Sequence, residues 1–309
     1  MPSAPAATSA AELVSAAASA TAPAAPGMGG SAATSVRLAS GIPRRAKSIG
    51  HTSYVLKVAL DNGAVGAFKP CSNKPLGDRR YKGEIAAYRL AEALGLDNVP
   101  LTIARAFRVA DLRGALSPDA QGEFDRMVRA GLEGEVEGAL IGWIDGYEVL
   151  PLESAAWRSR WMPWLTDRHT EIAPSDRAMA RAISTLIAFD CVTANWDRWS
   201  GANVARDKGT GSVLYVDNDG AFYDEPPSAT VEEQFALLGK VVRFSESFVQ
   251  ALRQLDIETL RHVLGSDERG TPLLADRNIL ATDSRRRRAL QIVDATVARE
   301  GQRDAFAFE

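Results

Sequence analysis

Five polar residues stand at intervals that could serve one reaction: Lys69, Glu84, Asp197, Asn203 and Asp217. Moving a phosphoryl group from a nucleotide takes a cation for the phosphates, oxygen ligands for a divalent metal, and a carboxylate to orient the acceptor hydroxyl. Hard cations such as magnesium prefer oxygen ligands, so Asp and Asn are suitable types. Each residue alone has a plainer reading. Lys69 could be a solvated strand-end lysine, and Glu84 a favourable charge near a helix N-terminus. Asn203 could be a turn residue close to Gly201. Asp217 and Asp219 could belong to a hairpin turn, because Asp219-Gly220 is a turn dipeptide. Together, and in this chain order, the five favour phosphoryl transfer.

The elements that must position them can be read from the hydrophobic pattern. Residues 52–70 read as a β-hairpin: Tyr54, Leu56, Val58 and Leu60 alternate, Asp61-Asn62-Gly63 turns, and the return strand delivers Lys69 before Pro70 stops it. A helix is expected over 82–94, with Ala86, Leu90, Ala93 and Leu94 on one face, Glu84 in its first turn and Gly95 as its stop. Strands expected at 101–109 and 139–144 bracket a charged, solvated insertion, and Asp145-Gly146 reads as a joint. Beyond Pro151 the pattern turns helical. Ser175 is the expected cap of a long helix with a buried stripe of Met179, Ile183, Leu186, Ile187 and Cys191. That helix runs into the loop carrying Asp197 and Asn203, and a short strand at 213–216 then presents Asp217. Helices follow, the last carrying Arg285 to Arg288, a run that reads as a solvated helix face or an acidic-partner site. Strands first and helices second predict an α+β protein with a small β-rich N-lobe (43–150) and a larger helical C-lobe (151–309).

The run FDCVTANWDRWSGANV…VLYVDNDGAF (Phe189 to Phe222) resembles the catalytic and metal-binding segments of the atypical kinases. This group includes secretory-pathway kinases of the Golgi casein-kinase type, phosphatidylinositol kinases and HipA-type kinases. Upstream, FKP…YKGEIAAYRLAEALGLDNVP (Phe68 to Pro100) resembles the phosphate-binding lysine and partner-glutamate helix, most nearly of the secretory-pathway group. The resemblance implies ATP and Mg2+ or Mn2+ as cofactors and a two-lobed, kinase-like fold. It implies that Lys69 contacts the nucleotide phosphates, with Glu84 holding it or organising metal. Asp197 is then the acceptor-orienting base, Arg198 braces the loop, and Asn203 and Asp217 ligate metal. Phe222 is expected beneath the metal loop, and Gly142 to Glu148, including Trp143 and Ile144, forms the adenine hinge.

Three departures stand out. Asn203 is six positions after Asp197 where related kinases have five, so either the loop bulges or the ligand lies elsewhere. Trp199 replaces a histidine found in several relatives, and Asp219 is an additional acid that shares metal or makes a turn. The phosphate-covering loop is expected at Arg44 to Ser53, where Gly50 and nearby amides face phosphate and Arg44, Arg45 and Lys47 add charge. A plain basic linker is the alternative for that stretch.

Composition closes other routes. The 309 residues are 46% hydrophobic and 24% charged with a net charge of −3, enough for a sizeable core and without the basic surplus of a nucleic-acid binder. His51, His169, His262, Cys71 and Cys191 have no zinc-ligand spacing, and two cysteines suit a reducing compartment. There is no P-loop motif and no G-x-S-x-G, and an EF-hand loop with Gly220 as its sixth-position glycine would need ligands where Tyr215 and Pro226 stand. No apolar run reaches the roughly 18 residues of a membrane span. Residues 1–40 hold fifteen alanines and two charges, Glu12 and Arg37, so 1–42 is expected to be a disordered leader; the alternative is an export signal for an effector delivered into another cell. The expected setting is cytoplasmic or that of such an effector. The expected acceptor is a protein hydroxyl. The alternatives are an inositol lipid or sugar as acceptor, and a nucleotide-binding scaffold without transfer.

Overall fold

The computed structural model describes residues 32–50, 53–131 and 133–308. Strand β2 (Leu56–Leu60) buries Leu56, Val58 and Leu60 while Lys57 and Ala59 stay half-exposed, as the alternation predicts. It pairs antiparallel on both sides, with β1 (Pro43–Ser48) and with β3 (Val65–Pro70). Adding β4 (Thr102–Arg108) and β5 (Glu135–Gly142) gives a five-stranded sheet in the order β1-β2-β3-β5-β4. The lysine-bearing strand is therefore central. Register places Lys69 opposite Ala139, while Phe68 faces the other side and fills the smaller core with Leu56, Val58 and Leu140. Strand alternation thus fixes the face on which Lys69 emerges.

That smaller core is capped by elements the sequence reading did not foresee. The insertion expected to be solvated folds into α3 (Val109–Ala115) and α4 (Pro118–Met127), which bury Leu112 and Phe124. Order also begins before Pro43: helix α1 (Ala32–Ser40) buries Leu38 against the sheet, and Arg37 donates to Asn62 O at 2.9 Å. One large apolar residue and one long cation in an alanine-rich stretch are enough to dock it. The rest of the leader lies outside the described residues. The basic run at 43–48 is likewise not a loop: it forms β1, an edge strand whose Arg44, Arg45 and Lys47 point to solvent, a common protection of sheet edges.

The opposite sheet face carries helix α2 (Gly77–Ala93), whose Ile85, Ala86, Leu90 and Ala91 pack with Ala104 and Ala139 into a second, larger core. The helix begins earlier than 82, so Glu84 lies about two turns inside it and not in its first turn. A dipole-stabilising role is thereby removed. The larger core continues through α5 (Ala155–Thr166), α6 (Pro174–Thr193), α7 (Ser228–Leu238), α8 (Glu246–Gln254), α9 (Ile257–Leu264) and α10 (Asp276–Glu300), ending at α11 (Gln302–Ala305). On α6, Ile183, Leu186, Ile187 and Cys191 are buried and Met179 is partly so; truncating one of the buried aliphatics would cost about 2–5 kcal/mol. Ser175 does not cap α6. Ala173 holds that position and Pro174 starts the helix, its fixed φ suiting the first turn. A small sheet of β6 (Tyr147–Val149), β7 (Val204–Asp207) and β8 (Val213–Tyr215) sits beside these helices. Arg89 Nε of α2 donates to Val263 O at 2.6 Å, tying the Glu84 helix to α9. Cys71 and Cys191 are both free thiols. No helix among the described residues is long and apolar enough to cross a membrane.

Candidate active site

Lys69 emerges from β3 into a ring of acids. Its Nζ is 2.7 Å from Glu84 Oε1, 2.7 Å from Asp217 Oδ1 and 2.9 Å from Asp219 Oδ2. Burial disfavours the ammonium, but Asp217, Asp219 and Glu84 outweigh it and hold the lysine pKa well above its ordinary value. Glu84 moves the other way: burial raises its carboxyl, and Lys69 offsets only part of that. The free oxygen of Glu84 accepts the backbone N–H of Asn218 at 3.0 Å, so one side chain ties the lysine strand to the loop after β8. This close approach needs a small residue on α2. A Cβ at Gly83 would stand 3.0 Å from Asn218 O.

The loop after β8 presents two aspartates with different surroundings. Asp217 adopts a left-handed backbone (φ 53, ψ 63), which Asp tolerates better than most non-glycine residues. One of its oxygens meets Lys69, and its side chain is 30% exposed. Asp219 is buried among Lys69, Arg80 and Ser53, whose Oγ donates to it at 2.8 Å. Burial works against its charge, yet Lys69 and Arg80 keep its carboxyl below the ordinary range. In this arrangement Asp219 is the carboxylate that ties Lys69 and Arg80 to Ser53 at the end of the β1–β2 loop, not a solvated turn residue. Phe222 follows with 1% exposure, and its N–H donates to Thr193 O at 2.8 Å.

The loop after α6 is organised by Arg198. Its guanidinium is fully buried and forks onto Asp190 at 3.0–3.3 Å. It also donates to Asn203 O and Val216 O, both at 2.7 Å, and to Asn218 Oδ1 at 2.6 Å. Partners from three segments, α6, the turn before β7 and the loop after β8, converge on one side chain. The extra residue between Asp197 and Asn203 is absorbed by a bulge, with positive φ at Gly201 (104) and Ala202 (62). Asn203 then folds back so that its Nδ2 donates to Asp197 O at 2.8 Å, which turns its amide N–H away from any cation. Trp199, in the place of a histidine, stacks on Trp161 with centroids 5.9 Å apart. Gly220 packs against the Asp197 turn: a Cβ there would stand 2.8 Å from Asn195 Oδ1 and 3.1 Å from Asp197 Cβ. Asp197 itself is half-buried. Burial raises its pKa, the Ser200 hydroxyl opposes this, and the charges of Asp217 and Asp219 add to the rise.

Among the described residues no group of three or more His, Cys, Asp or Glu could cage a metal. A divalent ion here would rest on the oxygens of Asp217 and Asn203 and complete its shell with phosphate and water. That is the coordination style of magnesium in nucleotide sites, so the donor set fits.

The expected nucleotide contacts are placed less evenly. Gly50 lies in the β1–β2 loop, where a Cβ would collide with Ser53 O at 2.1 Å, so this tight path needs glycine. His51 and Thr52 lie outside the described residues. At the joint, the main-chain N–H of Trp143 is already bonded to Val65 O at 3.1 Å, and its indole N–H to Asp145 at 2.9 Å. Lys57 sits 3.8 Å over its ring. Trp143 therefore has no free donor for a base, and Ile144 is the residue of that pair with main-chain groups to spare. Sequence reasoning missed Arg80, Ser53, Asp190 and Asn218. Only Asp190 left a signal, as an acid embedded in the apolar run of α6.

No protein-family model matches the chain, and no curated protein sequence matches it. Solved structures do. The Golgi casein kinase superimposes with a TM-score of 0.67 at 15% identity, covering 88% of this chain and 77% of that one. The same kinase with Mn and ADP bound gives 0.66, again at 15% identity with 88% and 77% covered. Hydra Fam20, solved with sugar, gives 0.60 at 16% identity, covering 88% of this chain and 90% of that one. With a small sheet over a helical bulk and Lys69, Glu84 and Asp217 meeting between them, the chain has the two-lobed α+β fold of the atypical kinases.

Proposed function

We propose that this chain is an ATP-dependent phosphotransferase that moves the γ-phosphoryl group to a hydroxyl, most readily that of a protein. The observation that carries this reading is the meeting of Lys69 Nζ with Glu84 and Asp217, residues from β3, α2 and the loop after β8, each at 2.7 Å. The N-lobe (43–150) and C-lobe (151–309) are proposed to close on the nucleotide between them. The neighbour solved with Mn and ADP supports nucleotide and metal use, and the casein-directed neighbour supports a protein acceptor.

In this scheme Lys69, held by Glu84, neutralises phosphate oxygens, while Gly50, in the β1–β2 loop, and Ile144 line the nucleotide. The acceptor oxygen attacks the γ-phosphorus, the bond to the β–γ bridging oxygen breaks, and ADP leaves. The acceptor proton passes to an Asp197 carboxylate oxygen. The raised pKa of Asp197 makes it a stronger base than an ordinary aspartate, provided that it is ionised at working pH. When bound on Asp217 and Asn203, a divalent metal supplies charge to offset that developing on the phosphoryl oxygens.

The test is incubation with γ-labelled ATP and magnesium or manganese, offering protein, inositol-lipid and sugar acceptors. Transfer by the wild type that is lost in Asp197→Ala and Asp217→Ala supports the proposal, and the labelled acceptor fixes the class. Metal-dependent nucleotide binding without transfer to any acceptor would favour the scaffold reading. Neither binding nor transfer would overturn both.

A further inference from the structure

A cavity of about 250 Å³ opens where the first turns of α2, the residues after the metal-site loop and the start of α10 meet. Its wall carries three cations, Arg79, Lys82 and Arg277, against two acids, Asp78 and Asp224. Asp224 already behaves as an internal anion. Arg79 forks onto it at 2.9 and 3.0 Å, and Arg277 reaches it at 2.6 Å. Arg277 above all, with help from Arg79 and Asn278, holds its carboxyl well below the usual range. Asp78 stands 3.9 Å from Arg129, another cation.

Lys82 is the unbalanced member. Its ammonium donates to Pro272 O at 2.7 Å, and among the described residues it makes no ion pair. An ammonium has three protons to donate. Arg277 is 74% exposed and has further N–H groups beyond the one spent on Asp224. It sits in the first turn of a 25-residue helix, next to Asp276, whose carboxylate is already paired with Arg261 at 2.9 Å. A latch made only to hold Asp224 would need neither Lys82 nor an open volume beside it.

We propose that this cavity is a binding site for a phosphate dianion, free or as a monoester, with Lys82 and Arg277 contacting it and Arg79 shared with Asp224. Guanidinium forks and a lysine point charge are the groups that recognise such oxygens. The site lies two residues from Glu84 along α2, beside the segment that leaves the loop after β8. An occupant would therefore brace the contact between α2 and that loop. The assignment rests on the cavity and its charges, and it stands whether or not the chain transfers phosphate.

Titration calorimetry on the full chain tests it, with inorganic phosphate in one arm and N-acetyl-phosphoserine amide in the other. Wild type, Lys82→Gln and Arg277→Gln are compared, each with and without ADP and magnesium. Saturable binding is expected, weakened at least about tenfold in each variant and insensitive to ADP. Lys82→Gln leaves the Asp224 pairs untouched, so its effect reports the cavity and not the latch. Tighter binding of the ester identifies a phosphorylated side chain as the source; equal or tighter binding of phosphate identifies the free ion. Absence of saturable binding, equal affinity in all three proteins, or displacement by ADP would each overturn the assignment.

Discussion

Two buried ionic clusters lie within a few residues of each other, and they are built on opposite principles. Around Lys69, three carboxylates face two cations, Lys69 and Arg80, and Asp217 reaches solvent with 30% of its side chain exposed. Around Arg198, a single carboxylate faces a single guanidinium, both essentially inaccessible, and the remaining N–H groups end on neutral oxygens. The first cluster has an excess of negative charge and an entrance. The second is balanced and closed. An excess of acid beside an opening can accept a divalent cation, and a matched pair with no opening can only hold segments together. The difference separates the proposed chemistry from its scaffold.

The largest expected effect comes from Asp217→Ala. Removing the carboxylate proposed to hold the metal should lower transfer by ~10³-fold or more while the melting temperature stays near that of the wild type, since Lys69 keeps Glu84 and Asp219. Labelled transfer and a thermal melt on the same preparation check both halves. A variant that loses its fold along with its activity would break the comparison at once.

Arg198→Ala should do the reverse and act on stability first. It leaves the Asp190 carboxylate buried without its partner, which typically costs about 3–5 kcal/mol. Urea unfolding measures this, and a loss below about 1 kcal/mol would mean that the pair does not brace the loop. The double variant Asp190→Leu with Arg198→Met should recover part of the loss, because the charge and its partner leave together.

What the sequence could reveal follows the same division. The parts of the Lys69 cluster sit at element ends, where strand alternation and helix stops are legible: Lys69 before Pro70, Asp197 after α6, Asp217 after β8. The partners that make these parts a cluster were not legible. Arg80 and Ser53 meet Asp219 across more than a hundred residues, and no local pattern encodes that. Nothing local marks the edge strand β1 as a strand, because its charged residues show no buried alternation, an edge needing little. In helix α1 the alanine-rich composition hides one decisive contact, Leu38 in the small core. The polar start of α2, from Gly77, carries no apolar periodicity, so the pattern alone puts Glu84 too near the helix start.

The Asp190–Arg198 pair can also be sharpened by pH. Burial pushes the Asp190 carboxyl up to about 6, with Arg198 opposing that rise. A carboxyl raised above its unfolded value binds a proton more readily in the folded state between the two values. This contribution to stability is therefore fully present below about pH 4 and declines as pH rises towards 6. The change is on the order of 2–3 kcal/mol, and Asp190→Asn should remove it from the stability–pH curve. An unchanged slope in that variant would show that Asp190 is ionised throughout.

The smallest effect belongs to the arginine run at 285–288, which the sequence reading treated as a single surface. The structure divides it. Arg285 is largely buried on Val192 O, its pKa lowered by burial to about 10, and Arg286 is buried against Asp283. Arg288 stays at the surface, paired with Glu232 at 2.6 Å and lying 4.0 Å over the Phe235 ring. Neither the solvated face nor the single acidic-partner patch survives as a description of all four. By the rule drawn from the two clusters, an exposed pair in water holds little, because solvent and salt screen it and its side chains lose freedom to form it. Arg288→Ala should therefore move the melting midpoint by no more than about 2–4 °C, and less in high salt. Arg286→Ala, two positions earlier on the opposite, buried side of the same helix, should move it further and be insensitive to salt. Equal shifts in the two variants would mean that burial is not what separates structural from superficial charge in this protein.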